Sequence, residues 1–112
     1  MSVQIPARYL IHSASLYEVV KDEYGPVQDR LISDLARVRF DPMTSLVKTA
    51  NGTDIQCTAL MFFDSVNSYP QNVQISVGNA ILWDGMRYIV QDVERLYDEG
   101  KLHHLEVILS DG

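Results

Sequence analysis

The sequence has few cysteines, few basic residues and no long apolar run. Its 112 residues include one cysteine, Cys57, so an internal disulfide is excluded and the fold does not require an oxidising compartment. No stretch approaches the roughly 20 apolar residues of a membrane-spanning helix, and no signal-peptide pattern follows Met1. We therefore expect a protein made in the cytoplasm, without a membrane partner.

Positive charge is scarce and dispersed. Nine Lys and Arg residues stand against 15 Asp and Glu, giving a formal net charge of -6. The densest basic stretch, from Arg30 to Arg39, is interrupted by Asp34 and followed by Asp41. Proteins that grip nucleic acid use clustered cations to displace counterions, so specific or tight nucleic-acid binding is not expected. An acidic protein can still lie beside DNA if it lets DNA pass without adhering.

The sequence also lacks the common motifs of catalytic and phosphate-binding sites. It contains no phosphate loop and no nucleophile elbow. The nearest approach to a metal cluster is His103-His104 with His12 and Glu106. Adjacent side chains on a regular strand point to opposite faces, so the two histidines are predicted not to share an ion. Cys57 falls in an apolar stripe and is expected to be an inert core thiol. We predict no catalytic residue, no cofactor, no metal and no enzyme activity.

Turn signals between apolar runs predict a β protein. Asp84-Gly85 is typical of a two-residue type I′ hairpin, which needs positive φ at both positions. This turn pairs Trp83 with Met86 and Ile81 with Tyr88, and it places Asn79 opposite Val90. The predicted buried face of this hairpin consists of Ile81, Trp83, Met86, Tyr88 and Val90. A third strand is expected to follow the turn Asp98–Lys101.

The rest of the chain is also predicted to be strands and turns. Two strands are expected at Arg8–Val20 and Gln28–Phe40, the second with a bulge near Leu35-Ala36 and a stop at Asp41-Pro42. Asn51-Gly52 predicts a second hairpin between Ser45–Ala50 and Thr53–Asp64, pairing Ala50 with Thr53, Lys48 with Ile55 and Leu46 with Cys57. Its predicted core stripe contains Ile55, Cys57, Ala59, Met61 and Phe63. After the polar loop Ser65–Ser76 the hairpin at Asp84-Gly85 follows, so residues 1–112 read as one all-β domain, a barrel or sandwich of six or seven strands.

Three stretches in order resemble one protein family. They are Leu60–Asp64 with Asn67–Pro70, then Val77–Ile81 with Gly85–Val90, and finally Leu96–Asp98 with Leu102–Val107. Together they resemble minor capsid proteins of tailed bacteriophages and prophages, of the head-completion (stopper, head–tail connector) type. The Leu-His-His-Leu-Glu sequence near the end is the most distinctive of these motifs.

The resemblance implies a small, mostly antiparallel β-barrel with long projecting loops and a place in the virion at the head–tail junction. There it implies a ring of subunits beneath the portal, in contact with portal or adaptor proteins above and tail-side proteins below. The subunit would help to retain packaged DNA, and it would be assembled in the host bacterial cytoplasm. Because such connectors resemble proteins that oligomerise on the growing particle, a monomer in solution is compatible with this role.

The resemblance also implies a loop that projects toward the channel, for which two segments are candidates. The preferred one is the finger Asp41–Asp54, with Asp41, Pro42, Met43, Asn51, Gly52 and Asp54, and the other is the loop carrying Ser68, Tyr69 and Pro70. Acidic groups in a channel would repel DNA phosphates. Two other functions stay open. One is a tail terminator or tail-side joining protein, and the other is a β-barrel module that binds a ligand or single-stranded DNA, for which the expected basic groove is lacking.

Overall fold

The computed structural model of the chain describes residues 6–21, 23, 25–48, 52 and 54–111. Within these residues the secondary structure is one 3₁₀ turn and six strands, with no α-helix. After the 3₁₀ turn Ala7–Tyr9, the strands are β1 His12–Lys21, β2 Val27–Lys48, β3 Asp54–Asp64, β4 Ala80–Trp83, β5 Met86–Asp98 and β6 Lys101–Asp111. The predicted first strand therefore begins too early, since residues 7–9 are in the 3₁₀ turn.

The six strands form a closed barrel in the order β1-β2-β3-β6-β5-β4, and every neighbouring pair is antiparallel. This confirms the all-β barrel prediction, with six strands. Alternate residues of each strand point inward, and the interior is filled by apolar side chains. The fully enclosed ones include Leu16, Val38, Met61, Ile81, Val90, Val107 and Leu109.

An aromatic stack closes one end of the barrel. The rings of Phe40 and Trp83 are parallel, with centroids 4.4 Å apart, and the His12 ring meets Trp83 edge-on at 4.9 Å. The backbone N–H of Phe40 donates a hydrogen bond of 3.0 Å to Nδ1 of His12. These contacts join β1, β2 and β4 where the sheet closes on itself.

The hairpin of β4 and β5 has the predicted turn and register. Asp84 and Gly85 have φ of 51° and 75°, and Trp83 pairs with Met86. Ile81 pairs with Tyr88, and the N–H of Val90 donates to the carbonyl of Asn79. The prediction that Met86 is buried is wrong, because its side chain is 53% exposed. The stack of Trp83 on Phe40 already covers this rim of the barrel, which leaves Met86 in solvent.

Strand β2 continues through Asp41-Pro42, so the predicted stop there is wrong. Pro42 pairs with Ala59, and a bulge follows between Pro42 and Ser45. Among the described strands, β1 pairs with β2 only as far as Val38, so Pro42 lies in a part of β2 that is not paired with β1. Proline, which lacks an N–H donor, is tolerated at strand edges and at bulges.

The second hairpin has a different register from the predicted one. Lys48 pairs with Asp54 and Val47 with Ile55, so five residues connect the strands instead of two. The predicted partners Ala50 and Thr53 lie outside the described residues. The core stripe on β3 is confirmed for Cys57, Ala59, Met61 and Phe63, which are all buried.

The predicted bulge in β2 is confirmed. Ala14 pairs with Leu35 and His12 with Val38, so two residues of β2 stand opposite Ser13 of β1. The second of these two, Arg37, has a φ of 56°. This left-handed conformation is uncommon for a residue other than glycine, and a bulge of this kind bends the strand that carries it.

An ion pair fastens the β1–β2 hairpin across the outside of the barrel. The Arg87 guanidinium donates to both carboxylate oxygens of Asp29, at 2.8 and 2.9 Å. Two strands separate β2 from β5 in either direction around the barrel, so the tip of β2 must bend over the sheet to make this contact. The hydrogen bonds from Arg87 hold the pKa of Asp29 below its ordinary value.

We expect removal of this pair to destabilise the protein measurably. A double-mutant cycle of Asp29→Asn and Arg87→Gln, followed by Trp83 fluorescence in urea, is expected to give a coupling of roughly 0.5–1 kcal/mol, since both groups keep partial contact with water. The Glu18–Arg30 pair on the same hairpin is the control. Its atoms are 3.5 Å apart and both side chains are more than half exposed, so its coupling should be close to zero.

The contribution of Asp29 also has a defined pH dependence. Because its folded-state pKa is lowered, the stabilisation is complete above the ordinary aspartate pKa and is lost as the pH falls through the folded-state value. The stability difference between wild type and Asp29→Asn should therefore disappear in acid. A difference that persisted unchanged below that range would contradict the assignment.

Candidate functional site

The buried side chains offer no reactive centre in the described part of the chain. Cys57 is fully buried, its Sγ lies 3.4 Å from the carbonyl oxygen of Ala59, and burial raises the pKa of its thiol. A buried, protonated thiol is a poor nucleophile, and the burial of Cys57 agrees with its predicted place in an apolar stripe. Among the described residues no three His, Cys, Asp or Glu side chains form a group that could hold a metal ion, and no helix is long and apolar enough to cross a membrane.

The two ends of the barrel carry different projections. Strand β3 pairs with β6 only from Ala59 to Asp64, so residues 54–58 form with β2 a two-stranded finger beyond one end. At the opposite end, residues 19–21 of β1 extend with the start of β2 past the last β1–β4 pair, which is Tyr17 with Ala80. The tip of the β5–β6 hairpin lies at that same end, with the turn residues Glu99 and Gly100 both at positive φ.

The finger is shorter than predicted. Asp41 lies on the barrel wall, where its Oδ1 accepts a hydrogen bond of 3.0 Å from Nε of Arg39. Pro42 is the last residue before the bulge, and Met43 follows it within β2. Gly52, with a φ of 81°, and the exposed Asp54 belong to the far end of the finger, whereas Asn51 lies outside the described residues.

The second predicted loop is fastened to the barrel. Ser68 is fully buried, and its Oγ accepts a 2.8 Å hydrogen bond from the N–H of Asp64 and donates to the carbonyl of Arg37. The Oδ2 atom of Asp64 in turn accepts from the N–H groups of Val66 and Asn67, at 2.9 and 2.7 Å. This network, which we call the Ser68 lock, joins the end of β3 to the bulge in β2.

Beside the lock, the loop exposes one aromatic ring. Tyr69 and Ala36 exchange two backbone hydrogen bonds of 3.0 Å, and the Tyr69-Pro70 peptide bond is cis. The Tyr69 side chain is 52% exposed, and the guanidinium carbon of Arg37 lies 5.9 Å from its ring centroid. The loop therefore presents a tyrosine–arginine pair to solvent close to the barrel surface.

The structural hairpin contributes packing only. Trp83 and Tyr88 face the Phe40 ring, while Asp84 and Gly85 make the exposed turn. Tyr88 is buried, and burial together with the nearby carboxylates of Asp111 and Asp84 raises its pKa.

The structure adds a groove on the outer face that sequence reasoning missed. A shallow depression of about 560 Å³ is lined by Tyr9, Arg39, Asp41, Phe62, His104 and Glu106. These residues come from the 3₁₀ turn and from β2, β3 and β6. The predicted alternation of β6 did place His104 and Glu106 on one face. The other groove residues, Arg39 and Asp41 on β2 and Phe62 on β3, could be placed beside them only once the strand order of the barrel was known.

The histidine pair departs from the predicted arrangement. Leu96 pairs with His104 but Tyr97 pairs with Leu102, so His103 is the extra residue of a bulge. The Nδ1 atoms of His103 and His104 are 2.8 Å apart, and Nε2 of His104 lies 3.2 Å from Oε1 of Glu106. The prediction that the two histidine side chains point apart is wrong, because a bulge breaks the alternation of a regular strand.

Comparison with known proteins gives a family for this fold. A model of the minor capsid protein family matches residues 6–109. The chain belongs to the minor capsid protein family. A search of curated proteins found no match.

Among solved structures, this minor capsid protein is similar to the phage-like element PBSX protein xkdH from Bacillus subtilis. The two chains are 15% identical, with 89% of this chain and 92% of the other covered. The TM-score is 0.45.

We expect the Ser68 lock to be a major contributor to stability. In Ser68→Ala the buried N–H of Asp64 and the carbonyl of Arg37 each lose a partner, and the expected loss in the free energy of unfolding is about 1–3 kcal/mol. Urea denaturation followed by Trp83 fluorescence measures it. The matched control is Ser76→Ala, an exposed position in the same loop, for which a change within about 0.5 kcal/mol is expected. Equal effects of the two substitutions would refute the assignment.

Proposed function

We propose that this minor capsid protein is a head-completion, or stopper, subunit of the phage neck. In this role it docks under the portal or adaptor proteins, helps to retain packaged DNA and provides the surface for tail joining. The observation that carries the proposal is the match of the minor capsid protein family over residues 6–109. We take its role to be structural, without catalysis or a cofactor.

The unlike ends of the barrel support a connector role. One end bears the finger formed by residues 45–48 and 54–58. The other bears the tip of the β5–β6 hairpin and the loop fastened by the Ser68 lock, beside the β1–β2 hairpin that the Asp29–Arg87 pair fastens to the barrel. A subunit placed between two different protein layers needs two different ends, and the barrel keeps them apart at a fixed distance. Copies arranged as a ring on the virion would present each set of projections to one layer.

The charge distribution supports a position beside DNA rather than a grip on it. The chain has a formal net charge of -6, which disfavours binding to phosphates. Of the two carboxylates proposed for the channel, Asp41 is balanced by Arg39 on the barrel wall. Asp54, which is exposed at the far end of the finger, is therefore the better candidate for repelling DNA during its passage.

Deletion of the gene from its phage or prophage, with complementation by the wild-type gene, tests the neck position. Particles seen by electron microscopy should be heads that fill with DNA, leak it and fail to join finished tails. Filled, stable heads beside abnormally long tails would instead assign the role of tail terminator. Normal infectious particles would refute a structural role.

Charge reversal at the finger tests the proposed DNA-facing group. Asp54→Lys is expected to slow DNA ejection or alter DNA retention, because it replaces a repulsive charge by an attractive one. The matched control is Asp34→Lys, which makes the same change at an exposed position in the part of β2 that pairs with β1, away from the finger. Complementation followed by measurement of retained and ejected DNA compares the two. If both variants behaved like wild type, the DNA-facing role of Asp54 would be wrong.

A further inference from the structure

The bulge in β6 brings together two imidazole groups that a regular strand would separate. His103 is the extra residue, and its Nδ1 atom lies 2.8 Å from Nδ1 of His104. The two rings are nearly perpendicular, with an interplanar angle of 77° and centroids 5.0 Å apart. The expectation of no metal at these residues depended on side chains pointing to opposite faces, which is not the arrangement found.

The carboxylate of Glu106 selects the form of His104 that can bind a cation through Nδ1. Oε1 of Glu106 lies 3.2 Å from Nε2 of His104 and can only accept a hydrogen bond when ionised, so Nε2 carries the proton. The Nδ1 atom of the neutral ring is then a lone-pair donor directed toward His103. A histidine that donates its other N–H to a carboxylate is the usual arrangement of a metal ligand, since this contact fixes the tautomer and increases the basicity of the ring.

We propose that His103 and His104 together bind one divalent first-row transition-metal ion through their Nδ1 atoms, with Glu106 as the residue that positions His104. In the metal-free protein, Nδ1 of His103 donates its proton to Nδ1 of His104. On binding, the ion takes the place of that proton and the His103 ring is protonated at Nε2 instead, so both imidazoles bind as neutral ligands and no net proton is released. This site goes beyond the proposed structural function and does not depend on it.

The separation of the two nitrogens indicates which ions fit. Two ligands at 90° with metal–nitrogen bonds of about 2.0 Å are about 2.8 Å apart, whereas tetrahedral ligands are separated by about 3.3 Å. The observed 2.8 Å is a hydrogen-bond distance in the metal-free protein, and it is close to the separation of neighbouring positions of a square-planar or octahedral ion, which both nitrogens would reach once the rings turn toward the ion. Cu²⁺ and Ni²⁺ prefer such geometries with imidazole ligands, and tetrahedral Zn²⁺ would require the rings to move apart.

Both histidines are partly exposed, and the set of ligands is incomplete, as an exchangeable ion requires. The His104 side chain is 17% exposed and lines the groove on the outer face, next to Phe62. No third His, Cys, Asp or Glu completes a metal-binding group within the described part of the chain. In the isolated protein, water would fill the remaining positions of a bound ion.

Titration of the full chain with CuCl₂, NiCl₂ and ZnCl₂ by calorimetry tests the site. One ion per chain is expected, with Cu²⁺ bound most tightly and Ni²⁺ more tightly than Zn²⁺. His103→Gln and His104→Gln should each weaken Cu²⁺ binding at least tenfold, and Glu106→Gln should weaken it by about 10-fold to 100-fold through loss of positioning. His12→Asn, which keeps an acceptor for the N–H of Phe40, is the matched control and should bind like wild type.

Nitrogen chemical shifts of the histidine side chains, recorded with Zn²⁺, give a second measurement that a purely structural role would not change. Ligation is expected to move the Nδ1 signals of His103 and His104 while His12 stays in place. Because His103 is the extra residue of the bulge and has no partner residue on β5, we expect His103→Gln to fold. This variant therefore tests the site even if His104→Gln does not fold. The proposal is overturned by the absence of saturable binding, by tighter binding of Zn²⁺ than of Ni²⁺, or by Cu²⁺ affinity unchanged in His103→Gln.

Discussion

The barrel depends on one narrow seam, where the short strand β4 meets β1. Only three residue pairs join these strands, Ser15 with Leu82, Leu16 with Ile81 and Tyr17 with Ala80. Without them, β1 and β4 would be the open edges of a sheet whose backbone groups lack partners. The Phe40–Trp83 stack and the Asp29–Arg87 ion pair both connect elements on either side of this seam. Because few backbone hydrogen bonds join β1 to β4, these long-range side-chain contacts help to keep the barrel closed.

The same seam explains why the molecule has projections at both ends. Strand β4 has 4 residues, whereas β2 has 22 and β5 has 13. A closed ring can be no taller than its shortest strand pairing allows, so the remaining lengths of the other strands must continue as two-stranded hairpins. The finger next to Asp54 and the two tips at the other end are these extensions. The connector role that we propose therefore uses the strand extensions that are not needed to close the barrel.

Sequence reasoning succeeded where the determinant is local. The turn at Asp84-Gly85 needs positive φ at two adjacent residues, and the pattern of β3 follows simple alternation, so both were predictable. It failed at Pro42, since the tolerance of proline there depends on how far β1 extends along β2. It also failed to predict the groove. It placed Asp41 in the projecting finger, because the ion pair with Arg39 on the barrel wall follows only when β2 is known to extend past Asp41. These features depend on which strands become neighbours.

Two bulges create the polar side-chain arrangements on the barrel wall, the Ser68 lock and the histidine pair. At Arg37 the bulge turns a carbonyl toward Ser68 and so creates the lock that holds the loop after β3. At His103 it places two imidazoles side by side with a carboxylate behind them. In a regular strand each of these groups would point away from its partner. A small barrel filled with apolar side chains has no interior space for polar sites, so register shifts on its wall are where such sites can form.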